Sequence, residues 1–164
     1  MNFVFTDGHG NWDSNSGSEF RHRVDASRRL ASQQGPATVE KAAEVARTHA
    51  GEMAKLKWDK TVFNMPEKPL PGAPATLYFN RAKSVLRHNP NIKAKVGFNE
   101  WDEGCGVREL VLSPTNLWRD EHTDWWAAGI DAVPEGATQL DVVFHDGCGT
   151  WDNNDGSDYM VLAR

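Results

Sequence analysis

The sequence predicts a mainly β fold: a small sandwich of short strands, preceded by a helical connector and a partial copy of the sandwich's own last hairpin. Three observations carry this. From Ala75 onward, short runs of β-branched and aromatic residues alternate with polar ones and are separated by turn residues, as in a sandwich. Between Glu40 and Leu56 the composition shifts to Ala, Glu, Lys, Arg and Met, all good helix formers. Finally, FVFTDGHGNWDSNSGSEF (Phe3 to Phe20) echoes VVFHDGCGTWDNNDGSDY (Val142 to Tyr159) at a constant offset. Val4, Phe5, Asp7, Gly8, Gly10, Trp12, Asp13, Asn15, Gly17 and Ser18 all recur as identical residues, and Phe20 stands where Tyr159 does.

The chain therefore divides into three parts. Residues 1–24 correspond to the C-terminal hairpin of a preceding, incomplete module. Residues 25–73 form a linker with a helix at about 39–57 and a proline-rich spacer, MPEKPLPGAP, that lacks donors for a central strand. Val39, Ala43, Val45, Ala46, Ala50, Met53 and Leu56 give that helix a patchy apolar stripe. Trp58 and Phe63 are expected to tuck the spacer onto the next domain. Residues 74–164 are the complete module, with strands expected over Thr76–Phe79, Ile92–Phe98, Arg108–Leu112, Trp125–Ile130, Thr138–Phe144 and Tyr159–Leu162. Trp125 and Trp126 share a strand and must face oppositely, so one is expected in the core and the other partly exposed.

Composition narrows the function. A formal net charge of −5 and a pI near 5.6 argue against a broad nucleic-acid surface, whose footprint would be basic. No apolar run reaches membrane-spanning length, and no targeting segment is visible ahead of the first strand. Two cysteines, Cys105 and Cys148, give neither a disulfide framework nor zinc-ligand spacing. Each lies near a loop tryptophan, and their pairing is the sharper reading beside a bland one of two free thiols. Asp146, Asp152, Asp155 and Asp158 could suggest a glycosidase pair, but they sit in turns where Asp favours the backbone, and no one pair stands out. DNNDGSD loosely suggests a calcium loop, but the closing Glu is missing and the flanks read as strands. No cofactor site or nucleophile–base pair appears, so the chain reads as a binding module rather than an enzyme.

The distinctive chemical feature is instead a pair of large indoles in polar loops: Trp101 in Asn99 to Gly106, and Trp151 among Gly, Asp and Asn. At these residues the chain resembles starch-binding carbohydrate-binding modules of families 25 and 53, most closely the repeats of class III starch synthases. The resemblance rests on LYFNR (Leu77 to Arg81), VGFNEW ending at Trp101, TDWW (Thr123 to Trp126), Val133-Pro134 and VFHDGCGTWDNNDGSDY. It implies an immunoglobulin-like sandwich that binds α-1,4-glucan without catalysis or cofactor, in a plastid, with a glycosyltransferase domain as a covalently linked partner. It also implies Trp101 and Trp151 as the sugar-stacking plates, with Asn153 and Asn154 beside the second. By the internal repeat Trp12 is a candidate secondary contact, though the half-repeat is not expected to form a complete glucan site. Several relatives carry a histidine six residues before the first plate; here Lys95 stands there, able to donate to a hydroxyl but supplying no ring. The other class of function is a structural or protein-interaction sandwich whose connector helix docks a partner.

Overall fold

The computed structural model describes Phe5–Thr6, Trp12–Asp13 and residues 36–162. The rest of the predicted partial hairpin and the linker up to residue 35 lie outside the described residues. β1 (Phe5–Thr6) and β2 (Trp12–Asp13) pair antiparallel, with Phe5 opposite Asp13 and Thr6 opposite Trp12. Their counterparts late in the chain, β8 (Gln139–His145) and β9 (Trp151–Asp152), pair in the same register, Phe144 opposite Asp152 and His145 opposite Trp151. The echo in sequence is thus an echo in pairing.

α1 runs over Pro36–Leu56, with proline in the first turn, where its missing N–H costs no hydrogen bond, and Lys55 in the last, where a cation suits the carbonyl end. The expected apolar stripe is only partly used. Ala50, Met53 and Ala54 are buried, whereas Ala43, Val45, Ala46 and Leu56 are exposed.

Eight strands form one curled antiparallel sheet. In order across it lie β10 (Tyr159–Leu162), β8, β5 (Ile92–Phe98), β6 (Arg108–Pro114), β7 (Trp125–Ile130), β4 (Ala75–Asn80) and β3 (Val62–Met65), with β9 beside β8. β6 makes the curl: its first part pairs with β5 through Leu112, and Ser113 and Pro114 then pair with β7. The two halves consequently face each other across a core that includes Leu77, Phe79, Ile92, Val96, Phe98, Leu140, Val142 and Phe144, all fully buried. Phe79 and Phe144, from opposite halves, stack with centroids 3.9 Å apart.

Two expectations are corrected. Trp125 and Trp126 do face oppositely, but both are buried, at 2% and 7% exposure. Trp126 enters the main core, with the Arg81 guanidinium 4.6 Å from its ring centroid. Trp125 packs on the other face with Met53, Ala54 and Phe63, so the end of α1 covers what one sheet alone would leave open. Second, β3 precedes the proline spacer as an additional strand, pairing Val62–Met65 with Phe79–Thr76. At the sheet edge it needs only one neighbour, so prolines immediately after it leave no ladder donor missing. Phe63 is buried as expected, but Trp58 is 52% exposed, with the Lys83 ammonium 5.6 Å from its ring centroid.

Trp126→Ala should lower unfolding stability by about 3–5 kcal/mol, the range for losing a buried aromatic. Chemical denaturation checks it, and an unchanged midpoint would contradict the placement of this ring in the core.

Candidate functional site

Alternation along β5 turns Ile92, Ala94, Val96 and Phe98 into the core and leaves Lys93, Lys95 and Gly97 on the outer face. β8 contributes Asp141, Val143 and His145 to that face, opposite Gly97, Lys95 and Lys93 in turn. The two loop tryptophans reach this face from opposite ends of the β5–β8 ladder. Trp101 follows the end of β5, beside Leu140, whereas Trp151 pairs with His145 at the other end.

Trp101 is brought back over the sheet by a left-handed turn. Asn99, Glu100 and Trp101 have φ of 50°, 61° and 63°, a run that costs on the order of 1–2 kcal/mol per residue without support. The support comes from Asp141, itself buried, whose Oδ2 accepts the backbone N–H of Glu100 at 2.7 Å and of Trp101 at 3.3 Å. Asn99 Oδ1 accepts the N–H of Thr138 at 2.8 Å and its hydroxyl at 3.0 Å. The indole then lies against Gly97, where a Cβ would meet its Cε3 at 2.3 Å. Its Nε1–H donates to Asp158 Oδ2 at 2.8 Å. Trp101 is therefore half-buried and clamped, not merely displayed as its polar loop suggests.

Trp151 is presented by the second turn. Asp146 Oδ1 accepts the N–H of Cys148 at 2.7 Å and of Thr150 at 3.0 Å, and Oδ2 accepts from Asn89 at 2.8 Å. The Cys148 N–H is the leading cause holding the Asp146 carboxyl below its usual range. Gly147 and Gly149 supply the positive φ, 76° and 115°, that the turn requires. Asp152 then anchors the strand: it accepts from the Ser84 hydroxyl, and its Oδ1 accepts from the Tyr159 hydroxyl at 2.8 Å. Burial first, and this bond second, push the Tyr159 phenol well above its ordinary value. The Trp151 indole is 47% exposed, and His145 stacks on it with centroids 4.5 Å apart and an interplanar angle of 22°. Lys95 reaches the same ring, its Nζ 5.1 Å from the centroid.

Charge on this face is mostly committed. Lys93 Nζ lies 2.7 Å from Glu109 Oε1, a hydrogen bond that is the main cause lowering the Glu109 carboxyl. Glu109 Oε2 is 3.3 Å from His145 Nε2, close enough for ionic contact but not aligned as a hydrogen bond.

Of the residues predicted for the site, Trp101, Trp151 and Lys95 are brought onto one face. Asn153 and Asn154 build the turn that comes after β9: Asn153 Oδ1 accepts from Gly156 at 3.1 Å, and Asn154 Nδ2 donates to the Asp158 carbonyl at 3.0 Å. The Trp12 side chain lies outside the described residues. Of the two readings of the cysteines, the pairing fails and the bland one of two free thiols holds. Both thiols are free, and Cys105 and Cys148 sit beyond opposite ends of a ladder running from Lys93 to Phe98, roughly 17 Å, far more than a disulfide spans. Trp118 is also exposed, at 47%. Among the described residues, no three His, Cys, Asp or Glu side chains are grouped to hold a metal ion. Sequence reasoning missed Gly97, Asp141, His145 and Asp158 as supports. Only Gly97 carried a signal, since glycine inside a strand often marks close approach of another group.

Gly97→Ala should push Trp101 off the sheet, changing its indole signal in near-UV circular dichroism and costing about 1–3 kcal/mol of stability as overpacking does. Gly129→Ala is the control, because a Cβ there meets nothing within 4 Å. Equal spectra for the two variants would contradict the clamp.

No protein-family profile matches the chain. It is 30% identical over 103 residues to soluble starch synthase 3, chloroplastic/amyloplastic, of Solanum tuberosum, a match covering 63% of this chain and 8% of that protein. Soluble starch synthase 3a of Oryza sativa subsp. japonica is 31% identical over 121 residues, 71% of this chain and 6% of the relative. Starch synthase 3 of Arabidopsis thaliana is 30% identical over 103 residues, 63% of this chain and 9% of the relative. The chain thus spans less than a tenth of these proteins and is homologous to a segment of starch synthase 3 from three plants.

Proposed function

We propose that the chain binds α-1,4-glucan, as starch, glycogen or maltooligosaccharide, without catalysis, and holds a starch synthase or other starch-active enzyme on its polymer. On this reading it works in a plastid, the location in the names of the homologous synthases, and its strands form an immunoglobulin-like module. The observation that carries the proposal is that Trp101 and Trp151, from loops at opposite ends, come to one sheet face with Lys95 between them. A glucan offers weakly apolar C–H faces rimmed by hydroxyls. An indole with one face supported and the rest open is the complementary surface, and burying about 60 Å² of sugar face contributes roughly 1.5 kcal/mol. Two such contacts supply about 3 kcal/mol, short of the roughly 4 kcal/mol net that millimolar binding needs. Hydrogen bonds to the hydroxyl rim must supply the rest, and the affinity expected is weak. Rings already immobilised lose little further freedom on binding, which favours the clamped Trp101. The amide atoms of Asn153 and Asn154 left over from the turn are the proposed hydroxyl partners beside Trp151.

Pull-down on insoluble starch granules is the first test, and a folded protein that stays in the supernatant would reject the proposal in favour of partner docking through α1. Trp151→Ala should weaken maltoheptaose binding by about 1–2 kcal/mol, some 5- to 30-fold, with little change in melting temperature, because the ring is half exposed. Trp101→Ala should weaken it similarly but also lower the melting temperature, since its clamp to Asp158 and Gly97 is lost. Undiminished affinity in Trp151→Ala would place the site elsewhere.

A further inference from the structure

On the glucan-binding reading, we infer that this face prefers an α-glucan carrying a phosphate monoester over a neutral one, and that Lys95 is the residue that sets the preference. Most charges on the face already have partners. Lys93 is spent on Glu109, 2.7 Å away, and the other Glu109 oxygen lies 3.3 Å from His145. Asp141 takes the backbone N–H groups of Glu100 and Trp101 and the side-chain amide of Gln139. Asp158 takes the Trp101 indole N–H at 2.8 Å.

Lys95 stands apart from these. It is directly opposite Glu109 in the β5–β6 ladder and opposite Val143 in the β5–β8 ladder. Yet Glu109 is drawn to Lys93 and His145, and among the described residues Lys95 has no ion pair. Its ammonium is instead beside the Trp151 ring, Nζ 5.1 Å from the centroid.

An ammonium held only by a π face retains most of its capacity to donate. A sugar stacked on Trp151 would extend its hydroxyl rim past the ring edge, into the region that this ammonium reaches. A neutral hydroxyl there receives an ordinary hydrogen bond, whereas a phosphate monoester, carrying close to two negative charges at neutral pH, receives a charge-assisted one roughly twice as strong. Of the neighbouring carboxylates, Glu109 is compensated by Lys93. Asp141 and Asp158 accept from neutral N–H groups, keep their charge and reduce the gain, so the preference expected is modest. A neutral plate at this position could not discriminate in this way.

The test compares maltoheptaose with maltoheptaose bearing one 6-phosphate, by titration calorimetry on the full chain at low and high salt. The wild type should bind the phosphorylated sugar roughly fivefold more tightly, and the ratio should shrink at high salt. In Lys95→Gln the ratio should fall to about one, and Lys95→Arg should restore it. Equal affinities for the two sugars in the wild type, or a ratio that survives in Lys95→Gln, would overturn the inference while leaving glucan binding intact. Binding of neither sugar by the folded protein would overturn both readings.

Discussion

β5 is hydrogen-bonded on both sides, to β8 and to β6, and this double pairing governs which of its side chains turn inward. Ile92, Ala94, Val96 and Phe98 are wholly buried, so a slip of one residue would carry Lys93 and Lys95 into the core. The register is therefore pinned by desolvation as much as by the ladder itself. With it fixed, the outer face is fixed too. Gly97 opposite Asp141 makes the shallow bed on which Trp101 lies, and His145 opposite Lys93 makes the stacking partner of Trp151.

The acidic residues of the module act mainly as fasteners. Asp141 and Asp152 are buried and Asp146 is partly buried, positions where an unpaired carboxylate would be costly, yet each accepts two or more hydrogen bonds. Asp141 and Asp146 accept from backbone N–H groups of the turns that carry or precede a tryptophan, and Asp152 from the Ser84 and Tyr159 hydroxyls. The density of carboxylates in this loop thus has a structural cause, since Asp146 and Asp152 hold its turns and its strand in place. The same logic gives meaning to the early echo, where Asp7 and Asp13 recur with Trp12 and the β1–β2 register repeats that of β8–β9. The correspondence is not complete in sequence: Thr6 stands opposite Trp12 where His145 stands opposite Trp151.

Much of the fold was legible because its strands alternate cleanly. Trp125–Ile130 and Tyr159–Leu162 have the predicted bounds, and Ile92–Phe98 shows the expected burial pattern. Display of Trp151 was legible from the Gly, Asp and Asn around it, residues that form turns rather than cores. What was not legible depends on contacts remote in sequence. Burial of Trp125 requires Met53 and Ala54 from the end of α1, and four residues of β3 carry too little periodicity to separate them from the linker. Proximity in sequence also misled: Trp101 folds back along the sheet while Cys105 stays with the far loop, so tryptophans that share a face do not bring their neighbouring thiols together.

The central claim is that one sheet face, bearing Trp101 and Trp151, meets the glucan. The chain has seven tryptophans, hence seven indole N–H signals, and watching them by NMR during a maltoheptaose titration separates the candidates in one experiment. The Trp101 and Trp151 signals should move progressively with ligand, while those of the buried Trp125 and Trp126 and of the exposed Trp58 and Trp118 stay in place. Movement of Trp58 or Trp118 with Trp101 and Trp151 unmoved would contradict the claim.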